Sequence, residues 1–215
     1  MSSGDSFVYQ KGFFSKQFNV YTPDLTGFGN NKNMPYPYSL DDYITEVKEY
    51  IDKNHLNKPH VIAHSFGGRI VLKLAHQNPD IFDKIVLVDS AGLKPKRTLK
   101  YHVKKCAYKM AKPFLRGRKP KIFFSKDYLA LSPNMRNSFV KIINEHLDYT
   151  LKDIKNKTLI VFGKTDKETP IYMAKKLHKE IKDSHLLIIN NAGHFSFIDC
   201  PQKFNWGVRE FLLSK

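Results

Sequence analysis

Two hydrophobic patterns alternate along the chain: short apolar runs rich in β-branched residues, and longer stretches with helical spacing. This is the pattern of a mostly parallel sheet covered by helices on both faces, an α/β fold. The runs predict strands at Phe18 to Thr22, His60 to Ala63, Lys84 to Val88, Thr158 to Phe162 and Leu186 to Ile189. Two of them, Ile85-Val86-Leu87-Val88 and Leu159-Ile160-Val161-Phe162, show no polar alternation, as suits strands buried on both faces.

Helices are predicted between these runs. Ser39 precedes Leu40-Asp41-Asp42-Tyr43, a serine cap followed by acids in the first turn, and that helix reaches about Asn54. A second spans Phe66 to His76 and stops before Pro79; a third runs from Pro170, suited to a first turn, to Ile181; a fourth begins near Pro201 and ends the chain. The stretch from Leu93 to Leu151 breaks the alternation. It reads mostly as helix, with Leu99, Val103, Cys106, Met110 and Phe114 at amphipathic spacing. The chain thus divides into core residues 1–92, an inserted helical lid over 93–151, and core residues 152–215. A lid is favoured over a membrane-surface helix because Tyr128, Leu129, Phe139, Ile142 and Ile143 give it further apolar faces to pack with.

Length and composition fit this picture. A chain of 215 residues suits one domain with an insertion, and 41% apolar residues suffice for a core without disulfides or metals. Cys106 and Cys200 have no metal-ligand or redox spacing and read as unpaired thiols of a reducing compartment. No apolar run is long enough to cross a bilayer, and Met1-Ser2-Ser3-Gly4-Asp5 is not the start of a signal peptide, so a cytoplasmic location is expected. The net charge is +16, and Lys94 to Lys121 alone holds twelve Lys or Arg with no acid. Such a stretch reads as a solvated helix surface or as a site for anionic partners. No nucleic-acid motif accompanies it, so no nucleic-acid partner is expected.

The candidate chemistry lies at strand ends. Ala63-His64-Ser65-Phe66-Gly67-Gly68 passes from strand through a tight turn into helix, with a serine at the apex and small residues two before and two after. Such an elbow lifts the hydroxyl above the sheet edge and aims the Phe66 N–H, at the helix N-terminus, at a developing oxyanion. A serine needs a base, and that base needs an orienting group. Among nine histidines, His194 follows the last predicted strand in Asn190-Asn191-Ala192-Gly193-His194-Phe195, whereas His64 lies within the elbow, directed away from the serine. Asp166, just after the Thr158 to Phe162 run, is the candidate acid, with Asp89 as its rival. His64, Tyr128, Phe139 and Phe195 are candidate substrate contacts. Serine, acid and histidine follow in that order.

With these residues in place, the chain resembles the α/β-hydrolase superfamily over nearly its whole length, in particular bacterial lidded hydrolases of the esterase and C–C bond hydrolase type. Pro23-Asp24-Leu25-Thr26-Gly27-Phe28-Gly29 is similar to that family's loop after its fourth strand, and Ala192-Gly193-His194-Phe195 to its histidine loop. Ala63 stands where most members have glycine. The resemblance implies a helical lid over Leu93 to Leu151. It also implies a strand ending in His-Gly just before a segment like Met1 to Ser6, lying between Phe18–Thr22 and His60–Ala63 in the sheet. On that basis the chain is expected to be N-terminally truncated, with a gap in its sheet and Met1 near the oxyanion position.

The expected activity is hydrolysis of a small or medium acyl substrate, a carboxylic ester, by a Ser65–His194–Asp166 triad. No metal or organic cofactor is implied. The alternatives are a catalytically impaired binding protein of the same fold, or a protein that binds anionic surfaces through its basic stretch.

Overall fold

The structure, a computed structural model, describes residues 3–96 and 131–214. Met1, Tyr128, Cys106, the amphipathic spacing from Leu99 to Phe114, and most of both the basic stretch and the predicted lid lie outside the described residues. Among the described residues no helix is long and apolar enough to cross a membrane.

Four strands form one parallel sheet in the order β1-β2-β3-β4: β1 (Val61–His64), β2 (Lys84–Val88), β3 (Lys157–Gly163) and β4 (Ser184–Ile189). All four coincide with predicted runs to within two residues at either end. The two central strands are those whose apolar runs lack alternation, because both of their faces are covered. Ile85 and Leu87 point into one core, with Ile160 and Phe162, while Val86 and Val88 point into the other, with Leu159 and Val161.

The first core is closed by three helices: α2 (Leu40–Lys53), α3 (Phe66–Gln77) and α5 (Ile171–Glu180). The second is closed by α1 (Val8–Phe14) and α7 (Pro201–Leu213). Within the region predicted as an insertion lies α4 (Pro133–Asn144), and a single turn, α6 (Ser196–Asp199), precedes α7. Helix α2 starts as its sequence predicts: Ser39 Oγ accepts the Asp42 N–H, and the Asp42 carboxylate accepts the Ser39 N–H at 2.7 Å, a reciprocal cap. Pro170 sits at the cap of α5 rather than in its first turn. Helix α1, with its phenylalanines facing α7, was not predicted.

One strand expectation fails. Phe18 to Thr22 is not a strand: the segment ends a turn and then runs outside any ladder. A strand needs a main-chain partner. Here a cavity of about 980 Å³ lies between Asn19–Thr22 and β1, lined by both. Among the described residues strand β1 pairs with β2 alone, and no strand lies along its outer edge. The loop that follows is nevertheless firmly held. Asp24 accepts N–H bonds from Gly4 and Asn30, which depress its pKa, and Gly27 and Gly29 take the positive φ angles its turns require.

Helix α4 packs on the core. Its Ser132 cap and Pro133 start the helix, and Met135 and Ile142 bury against the first core. The Arg69 guanidinium on α3 donates to the carbonyls of Ile142 (3.0 Å) and Glu145 (2.8 Å), which satisfies the C-terminal end of α4. Lys73, one turn on, bridges Glu145 and Asp41 at 2.6 and 2.8 Å.

Candidate active site

The turn from β1 into α3 is strained in the way an exposed apex demands. Ser65 holds φ +47° and ψ −106°, a conformation L-residues rarely adopt. Main-chain bonds hold it there. Its N–H donates to Val88 at the end of β2 (2.9 Å), and its carbonyl accepts from Gly68 and Ala91 (3.1 Å each). The need for a small residue falls on Gly68: a Cβ there would lie 2.0 Å from Ser90 Oγ. At Gly67 a Cβ would meet only Ala63 Cβ, at an ordinary 3.7 Å, so alanine at position 63 is accommodated. The Phe66 N–H, first of α3, has no acceptor within its helix. The Phe66 ring stacks on Phe28 and meets Tyr43 edge-on, which fixes the first turn.

Ser65, His194 and Asp166 converge although each comes from a different strand end. The Ser65 hydroxyl donates to His194 Nε2 at 2.9 Å, and His194 Nδ1–H donates to Asp166 Oδ2 at 2.9 Å. That pattern requires the tautomer protonated on Nδ1, leaving Nε2 free as a base. Asp166 is fully oriented. Oδ1 accepts the N–H groups of Glu168 (2.7 Å) and Thr169 (3.0 Å), and the Thr169 hydroxyl donates to Oδ2 (2.6 Å). Burial alone would raise the Asp166 pKa, but the bonds from His194 and Thr169 outweigh it and hold the carboxylate below its usual value. Burial alone would likewise depress His194; the hydrogen bond and charge of Asp166, with Glu168 beside it, outweigh this and hold the imidazole above its usual value.

His64 does point away from the serine, but toward the histidine loop. Its Nε2–H donates to the main-chain carbonyl of His194 at 2.7 Å, and its ring lies against those of Phe195 and Phe197. Burial pushes its pKa down to about 4, so the ring is a neutral strut. Asp89, the rival acid, is buried and bonds to Gly163 and Ser196, with no bond to the imidazole. Phe139 and Phe195 line the cavity that opens at Ser65 and His194. Met1 and Tyr128 fall outside the described residues. Sequence reasoning missed Thr169, whose Asp-x-x-Thr spacing from Asp166 was the available signal. It also missed Glu168, whose Oε2 stands 3.4 Å from His194 Nε2 on a largely exposed side chain. No cluster of side chains suited to a metal ion occurs among the described residues.

Comparison with known proteins gives the same grouping. Residues 2–117 match the family model described as the alpha/beta hydrolase fold, and residues 140–214 match a model of TAP-like proteins. The AB hydrolase superfamily protein YisY of Bacillus subtilis is 28% identical, over 95% of this chain and 85% of its own length. A 2-hydroxy-6-oxo-2,4-heptadienoate hydrolase of Pseudomonas putida is 22% identical, over 94% of this chain and 80% of its own. Among solved structures, the esterase EaEST of Exiguobacterium antarcticum superposes with a TM-score of 0.78 at 23% identity, covering 99% of this chain and 88% of that one. A meta-cleavage product hydrolase of Pseudomonas fluorescens superposes with a TM-score of 0.74 at 21% identity, covering 99% and 86%. With its family model matching more than half its length, the chain belongs to the α/β-hydrolase family of enzymes.

Proposed function

We propose that the protein is a serine hydrolase of small or medium acyl substrates, carboxylic esters, working through an acyl-enzyme. One observation carries this reading: an unbroken hydrogen-bonded line from Asp166 through His194 to a serine held at a strained apex. His194 Nε2 takes the hydroxyl proton as Ser65 Oγ attacks the acyl carbonyl carbon. The charge that gathers on the carbonyl oxygen faces the Phe66 N–H at the start of α3. Collapse of this intermediate expels the alcohol, which receives the proton from the imidazolium. A water, deprotonated by the same base, then releases the acid. Asp166 keeps the imidazole in its tautomer and stabilises its charged form. Nucleophile, base and acid are all side chains, so the chemistry needs no cofactor.

The part of the cavity nearest Ser65 is bordered by Phe28, Tyr43, Ile70, Phe139 and Phe195, an apolar lining that suits an acyl chain. In this reading the insertion from Leu93 to Leu151 serves as a lid. Turnover of a p-nitrophenyl ester series from acetate to decanoate tests the proposal. The wild type hydrolyses it with a preference within the series, and Ser65→Ala, equally folded, does not. Equal rates for the two proteins would reject the reading, and tight ester binding without turnover by either would instead mark a binding protein of the same fold.

A further inference from the structure

We propose that Asp89 is a positioning residue for the base, tying the loop that bears Asp166 and the loop that bears His194 to the end of β2. The proposal rests on the serine-hydrolase reading for its consequence in rate, and on geometry for its substance. Asp89 follows β2 directly, is fully buried, and adopts a φ of +43°, a left-handed conformation that turns its carboxylate beneath both loops. Oδ1 accepts the N–H of Gly163 at 2.7 Å. Oδ2 accepts both the N–H (3.1 Å) and the hydroxyl (2.6 Å) of Ser196. Gly163 closes β3, three residues before Asp166, and Ser196 lies two residues after His194. The Asp89 carbonyl is 3.0 Å from the Thr169 hydroxyl, the same group that donates to Asp166. One residue thus braces the loop of the imidazole and the loop of its acid from below.

The two loops are also stacked directly on one another. A Cβ at Gly163 would lie 2.1 Å from the carbonyl oxygen of Gly193 and 2.5 Å from that of Ala192. Little slack exists between them, so a shift at Gly163 passes to the His194 loop. Asp89 and His64 then hold that loop from two sides, Asp89 through Ser196 and His64 through the His194 carbonyl. The groups that bond to the Asp89 carboxylate are two main-chain N–H groups and a hydroxyl, none of them charged. Burying a carboxylate without a cation is costly, and here burial pushes its pKa up to about 6. An apolar residue here would leave the buried N–H groups of Gly163 and Ser196 without this acceptor and the two loops untied. The negative charge also adds to the field that raises His194.

Asp89→Asn, Ser196→Ala and Ser196→Thr in the full chain test the assignment by two readouts. The first is the titration of the His194 imidazole followed by NMR, which needs no activity. The second is inactivation by a fluorophosphonate, resolved into affinity and maximal rate. Asp89→Asn keeps the size but removes the charge and replaces one acceptor oxygen by an amide donor, which breaks the tie to one loop: the His194 midpoint falls, and the maximal inactivation rate at pH 8 drops about tenfold or more with affinity unchanged. Ser196→Ala breaks one bond and keeps the charge, so the rate falls less and the midpoint stays, while Ser196→Thr restores the rate. A wild-type His194 titration in folded Asp89→Asn, or losses that track thermal stability alone, would overturn the proposal. Absence of Ser65 labelling in the wild type, with the NMR shift still present in Asp89→Asn, would reject only the serine-hydrolase reading.

Discussion

The His194 imidazole sits between two opposing influences, and the balance gives a signed prediction. Asp166, with help from Glu168, outweighs burial and holds the histidine above its ordinary value near 6.5. The base works only when neutral, so the rate of Ser65 acylation falls as pH drops through a midpoint above 6.5. Asp166→Asn removes the dominant charge and moves that midpoint down while lowering the plateau rate by about 10⁴-fold. A pH profile of ester hydrolysis checks both. His64 has the opposite sign. Its folded pKa of about 4 lies below the unfolded value, so its contribution is fully present above about pH 6.5 and is lost as pH falls from there toward 4. The loss is on the order of 3 kcal/mol. His64→Gln, which retains a donor for the His194 carbonyl, flattens the acid limb of thermal stability between pH 6.5 and 4. An unchanged limb would show that the ring is already charged in the fold.

At the scale of elements, most of what positions the site is legible in the sequence, because it rests on local rules. The Ser39 and Asp42 cap, the unalternating runs of β2 and β3, and the small residues around Ser65 each have a short-range physical cause. Ser39→Ala is expected to cost about 1 kcal/mol, measured by denaturant unfolding, with little effect on rate, since α2 does not touch the triad. Gly68→Ala should destabilise and slow together, because a Cβ 2.0 Å from Ser90 Oγ must displace either the elbow or the segment after β2. What was not legible depended on distant partners. Phe18 to Thr22 has strand composition, yet strand formation is decided by a neighbour, and the place beside β1 is a cavity. The tight steric demand was assigned to Gly67 by pattern, but Ser90, which no short motif includes, places it on Gly68. Asp89 looked like a rival acid because it too ends a strand; only the fold shows its carboxylate turned toward Gly163 and Ser196 rather than the imidazole.

For the whole molecule, the sheet is asymmetric. Strands β2 and β3 are flanked on both sides and buried on both faces, whereas the outer edge of β1 borders the cavity that leads to Ser65. Because the Ser65 N–H bonds to Val88, strand alternation turns the main-chain groups of Ile62 and His64 to that outer edge. Native-state hydrogen exchange should find the amides of Ile62 and His64 far less protected than those of Val86 and Ile160. Three strand ends bring Ser65, His194 and Asp166 into one hydrogen-bonded line, with Ser65 and His194 at the cavity and Asp166 buried behind them. Site mapping by mass spectrometry after fluorophosphonate treatment at pH 8 tests that convergence most directly. A single adduct on Ser65, abolished by His194→Ala and by prior unfolding, is the predicted result. Modification elsewhere, or a Ser65 adduct formed equally fast without His194, would contradict it.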